Sequence, residues 1–153
     1  MAQSDGVYVS GPGIKALERK IAAMDKAARG GLQRELEAGL VAGATPIVPK
    51  VRVAARANLP RRGGLAAEVA ARPMRVEVSH RRDPAVLLIV EGSEAIATNA
   101  GRLRHPVFGN LDNWVTQAIR PGWFSEVMQK EAPKVRPDLE RAMRRVADKI
   151  ERA

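Results

Sequence analysis

From Gly13 onward, apolar residues recur in steps of three and four: Ile14, Leu17, Ile21, Met24, Ala28, Leu32, Leu36 and Leu40. That spacing lines one face of an α-helix. The opposite face carries Lys15, Glu18, Lys20, Asp25, Lys26, Arg29 and Glu37, so the pattern predicts one long amphipathic helix. Gly30-Gly31 weakens its middle by about 1 kcal/mol per glycine relative to alanine, and Gly43 is a plausible stop. The preceding residues, 1–12, include Gly6, Gly11 and Pro12. They read as a flexible N-terminal arm, which leaves 13–153 as a single domain.

Thr45-Pro46 has the form of an N-cap followed by proline at the first helical position. A short second helix to about Ala57 follows, with Ile47, Val51 and Ala54 inward and Lys50, Arg52 and Arg56 outward. Leu59 to Gly64 is a loop, and Leu65 to Ala71 has room for one or two helical turns. The period then changes. Met74, Val76 and Val78 alternate with Arg75, Glu77 and Ser79, as in a half-buried strand. Ala85 to Val90 is continuously apolar, as in a strand covered on both faces. The two are expected to pair as a hairpin, with residues 92–101 as a longer connection.

Arg102 to Gly109 and Asn113 to Ile119 suit further short strands. After Pro121-Gly122, an apolar stripe of Phe124, Val127, Met128, Val135, Leu139, Met143, Val146 and Ile150 predicts a terminal helix. Pro133 and Pro137 are expected to kink or restart it. The order is α+β: long N-terminal helix, short second helix, small mainly antiparallel sheet, C-terminal helix.

Composition narrows the chemistry. A chain of 153 residues without cysteine has no disulfide, no thiolate nucleophile and no cysteine-based zinc site. The start lacks a basic stretch followed by an apolar run, so no secretory signal is expected. No window is long and apolar enough to span a membrane. His80 and His105 are the two histidines, and neither has a carboxylate at helical i,i+4 spacing. Neither the dinucleotide nor the P-loop glycine spacing occurs, and no cofactor is expected.

The net charge of +9 is concentrated. Residues 50–82 hold nine Lys and Arg against Glu68 and Glu77, which places seven of the nine net charges there. Arg52, Arg56, Arg61, Arg62, Arg81 and Arg82 are the candidates for contact with DNA or an acidic partner. No aromatic residue falls between Tyr8 and Phe108, so the basic segment offers no stacking platform for single strands. Four of the five aromatics lie between 108 and 124. Phe108 and Trp114 are expected to fill the core where sheet meets terminal helix, with a role as subunit anchors as the competing reading. Trp123 is out of phase with the terminal stripe and is expected to face another subunit, whereas Phe124 packs inward.

A family resemblance enters at this point. The long N-terminal helix leads to Leu59-Pro60 and Gly63-Gly64-Leu65-Ala66. A strand pair follows, then Arg104-His105-Pro106-Val107-Phe108-Gly109, Trp114, Gln117, Pro121-Gly122-Trp123-Phe124 and the C-terminal helix. This pattern, over about residues 13–152, resembles the neck, head-to-tail connector or tail-completion proteins of long-tailed bacteriophages. His-Pro-Val-Phe-Gly is its most specific part. The resemblance implies a non-enzymatic virion subunit, made in the bacterial host cytoplasm. It implies a homo-oligomeric ring, a hexamer being the expected number, between the portal side of the capsid and the tail tube. Its partners would be other head–tail joint proteins and the tail tube or its terminator. Trp123, Arg104 and His105 are the candidate interface residues. Two other readings stay open: a small basic protein that binds nucleic acid non-specifically, and a small enzyme using His105.

Overall fold

The computed structural model describes residues 3–7, 11–24, 26–81 and 84–152. Six helices and five strands occur among them, in an α+β arrangement. They are β1 (Gln3–Val7), α1 (Gly11–Ala22), α2 (Lys26–Ala44), α3 (Ile47–Asn58), α4 (Leu65–Ala71), β2 (Met74–Ser79), β3 (Ala85–Val90), α5 (Ser93–Asn99), β4 (Arg102–Val107), β5 (Asn110–Ala118) and α6 (Ser125–Arg152).

The expected long N-terminal helix is two helices. The chain tightens at the end of α1, where Met24 N–H bonds the Ile21 carbonyl at 3.1 Å. The break resets the phase: Ile14, Leu17 and Ile21 are buried on α1, and Leu36 and Leu40 on α2, but Ala28 is exposed. α2 ends at Ala44, one residue past the stop expected at Gly43, and its glycines also serve packing. A side chain on Gly39 would put its Cβ 2.9 Å from the Cβ of Ala142, and one on Gly43 would meet Leu139 at 3.0 Å. These glycines let α6 approach α2 closely, and Lys149 closes that contact by donating to both carboxylate oxygens of Glu35 at 2.7 Å.

Only Thr45 and Pro46 separate α2 from α3. The Thr45 hydroxyl does not cap α3; it donates back to the Val41 carbonyl at 2.7 Å, and Pro46 occupies the cap position. Ile47, Val51, Ala54 and Ala55 are buried on α3.

Residues 3–7, expected within a flexible arm, form an antiparallel strand beside β3, with Gln3 opposite Val90 and Val7 opposite Val86. β2 pairs with the other edge of β3, Met74 opposite Val90 and Ser79 opposite Ala85. β3 is therefore the central strand of the order β1-β3-β2, and its Val86, Leu88 and Val90 enter the core. β4 and β5 do not join this sheet but form a separate hairpin. The connection at 92–101 contains α5.

α6 runs as one helix of 28 residues through Pro133 and Pro137. Both prolines are exposed and one turn apart, so the carbonyls that lose a partner can bond water. The buried stripe of α6 is Met128, Glu131, Val135, Leu139, Ala142 and Val146.

Candidate functional site

The β4–β5 hairpin is anchored at its root and bare at its tip. Its root is α5. Gly101 N–H bonds the Thr98 carbonyl at 3.1 Å, Ile119 N–H the Gly101 carbonyl at 2.9 Å, and Gly122 N–H the Asn99 carbonyl at 2.8 Å. The Asn99 side-chain oxygen accepts the N–H groups of Phe124 and Ser125 at 2.9 and 3.1 Å, so it caps α6 from a distance. Arg120 ties the outgoing strand to Asn58 and Glu126, both at 3.1 Å. The stem therefore leaves the body in a fixed place.

The strands pair from Arg102 with Ala118 to Pro106 with Trp114, then jump to Val107 with Asn110. Leu111, Asp112 and Asn113 form the resulting bulge. Two bonds shape it: Trp114 Nε1–H donates to the Leu111 carbonyl at 2.7 Å, and the Asp112 N–H to the Asn110 side chain at 3.0 Å. The turn is Phe108-Gly109, with φ of +48° and +75°, the signs that a two-residue type I′ turn requires. Such turns favour Asn and Gly; a bulky residue there is an outlier.

All nine residues of β5 are exposed. Phe108 is fully exposed, Leu111 is 73% exposed and Trp114 44%. This reverses the expectation for three of the four rings of the aromatic segment; Phe124 is buried as expected. Phe108 and Trp114 are outside the core, while Trp123 is 1% exposed. Trp123 packs edge-on against Phe124, with ring centroids 5.7 Å apart, and donates through Nε1 to the Thr98 hydroxyl at 3.1 Å. It is not an interface residue of the isolated subunit. The phase argument misplaced it because it precedes the first residue of α6, Ser125. Of the other interface candidates, Arg104 is exposed, its guanidinium carbon 5.2 Å from the Trp114 ring centre, where the charge meets the π face. His105 is half-buried and donates through Nδ1 to the Pro106 carbonyl at 3.2 Å.

Three cations of the basic segment, Lys50, Arg72 and Arg75, are paired with carboxylates within the fold. Lys50 pairs with the buried Glu131 at 2.5 Å, and Lys134 meets the same carboxylate at 2.9 Å. Those two hydrogen bonds hold the Glu131 pKa at about 2. Arg72 pairs with Glu68 and Glu94, and Arg75 with Glu77 and Glu91. Arg52 is a buttress rather than a free cation: it donates to the carbonyls of Ala70 and Arg72 and satisfies the end of α4. Arg56, Arg61, Arg62 and Arg81 remain exposed. Arg56 and Arg61 line one shallow groove with Ala66 and Ala67. Arg82 lies outside the described residues.

His80 joins β2 to the first two helices, Nδ1 donating to Glu18 at 2.5 Å and Nε2 facing Glu37 at 2.8 Å. The bond to Glu18, with the charges of both glutamates, raises its pKa above the ordinary 6.5 despite desolvation. Among the described residues, no three His, Cys, Asp or Glu side chains converge as a metal site, and no helix is long and apolar enough to cross a membrane.

Thr98 and Asn99 were not expected to matter. The signal was present: Gly92-Ser93-Glu94 and Asn99-Ala100-Gly101 are start and stop residues around a seven-residue helix. Comparison with protein-family models, characterised proteins and solved structures finds no match for this chain.

Proposed function

We propose that this chain is a non-catalytic structural subunit that self-assembles as a ring, a hexamer being the expected number, at the head–tail joint of a long-tailed bacteriophage. The observation that supports self-assembly best is the projecting hairpin, whose apolar residues Phe108, Leu111, Trp114 and Val115 face solvent in the single chain. Exposed apolar clusters on an ordered element mark interaction sites. The segment most specific to the phage family resemblance, His105 to Gly109, is the tip-ward end of β4 and its turn. The virion setting rests on that resemblance. The capsid connector on one side and the tail tube or its terminator on the other are the implied neighbours.

Mass photometry and negative-stain microscopy of the purified chain test the assembly, and immunogold labelling of particles tests the position. Closed rings and label at the head–tail joint are expected. A chain that stays monomeric at tens of micromolar and binds duplex DNA with a steep salt dependence would replace this reading with the nucleic-acid one, carried by Arg56, Arg61, Arg62 and Arg81.

A further inference from the structure

A second apolar surface lies away from the hairpin in sequence. Between α3 and α6 a groove is lined by Pro49, Val53, Ala54 and Val127, with Lys50 and Lys130 among its polar lining. Val53 is 63% exposed there although it sits mid-helix. The groove volume is about 330 Å³, at the small end of clefts that accept ring-sized groups. Its acidic residue, Glu131, is already matched by Lys50 and Lys134. Lys130 makes no ion pair among the described residues.

The hairpin tip is the chemical complement of this groove. It presents Phe108 and Leu111 to solvent and one charge beside them, Asp112, whose carboxylate has no ion-pair partner among the described residues. Nearby hydrogen bonds fix the bulge that holds Leu111 and Asp112, so little order remains to be gained on binding. A tip and a groove on different parts of one subunit form a heterologous contact, the kind that generates a ring when the rotation closes.

We infer that the tip of one subunit, Phe108, Leu111 and Asp112, docks in the α3–α6 groove of a second copy, with Asp112 meeting Lys130. This inference rests on the proposed self-assembly. It names the two surfaces that meet.

Two variants at exposed sites test it: a tip variant carrying Phe108→Ser with Leu111→Ser, and a groove variant, Val53→Glu. Each is expected to be a folded monomer by circular dichroism and sedimentation velocity. Mixed in equal amounts they should give dimers and nothing larger, because only one competent tip and one competent groove meet. Asp112→Lys or Lys130→Glu alone should weaken assembly at least about tenfold, and the two together should restore it. If the wild type oligomerises and Val53→Glu does so equally well, the groove assignment is overturned while self-assembly stands. In that case a tip variant that is monomeric points to tip-to-tip contact instead. If the wild type itself is monomeric at every concentration reached, the self-assembly reading fails and this inference with it.

Discussion

The indole N–H of Trp123 donates to the hydroxyl of Thr98 at 3.1 Å, and both residues are buried. Thr98 in turn donates to the Glu94 carbonyl at 2.6 Å. The bond links α5 to the elbow before α6, next to the Asn99 cap and at the root of the hairpin. Trp123→Ala should therefore destabilise the subunit itself rather than merely disable an interface. Truncating a buried aromatic costs about 3–5 kcal/mol, or about 10 °C in melting temperature at this size. Phe124→Ala should lose a comparable amount. Thermal melts of both variants check this; a Trp123→Ala subunit that melts like the wild type would show that the indole is dispensable to the core.

Leu88 is 1% exposed in the middle of β3, with β1 on one side and β2 on the other. A carboxylate placed there has no partner and no route to water. Leu88→Asp should cost several kcal/mol and leave little soluble folded protein. Urea unfolding followed by circular dichroism measures it. A midpoint equal to that of the wild type would mean that β3 is not central.

The elements with a clear period were legible in the sequence. β2 and the terminal stripe follow from spacing, and β3 from its unbroken apolar run. Gln3 to Val7 has no alternation, and its strand conformation comes from the free edge of β3, a tertiary effect. α5 is too short for a period to declare itself. Trp123 was misassigned because helical phase says nothing about a residue in the turn before a helix, and Phe108 stands before Gly109 where an Asn or Asp would advertise a tight turn. The basic segment looked like one patch because its partners Glu91, Glu94 and Glu131 lie elsewhere in the chain. Charge counted along a chain does not show which charges the fold pairs.

His80 gives stability a dependence on pH. Its folded-state pKa is raised by Glu18 and Glu37, with desolvation by burial opposing that rise; Lys15, Arg19 and Arg81 line the same shallow surface. A raised pKa means that the contribution is fully present below about pH 6.5, the unfolded value. It is lost as the pH climbs through the folded value. His80→Gln should thus destabilise the protein at pH 6 and make less difference at pH 9. The imidazole is 42% exposed on its side chain, and pairs that solvent reaches are worth about 1 kcal/mol or less, so the effect is small. Melting curves of both proteins across that range are the check. A deficit that grows toward pH 9 has the wrong sign for this account.

Phe108 combines two costs that a residue chosen for folding would avoid. Its ring is fully exposed, and its backbone has φ of +48°. For residues other than glycine the left-handed region costs about 1–2 kcal/mol, with Asn among the best tolerated. Phe108→Asn should therefore raise the stability of the isolated subunit by about 1 kcal/mol, or about 2–4 °C in melting temperature. The same change removes an aromatic anchor, whose truncation commonly costs 2 kcal/mol or more of binding, so assembly should weaken more than tenfold. Strain of this kind persists where function uses the residue. Phe108→Tyr separates the two effects: it keeps the ring and the strain, and should assemble like the wild type without the gain in stability. The measurements are melting temperature at a concentration where all three are monomeric, and sedimentation at a concentration where the wild type assembles. An Asn variant that melts lower would show that the ring supports the fold after all, and one that assembles normally would remove Phe108 from the contact.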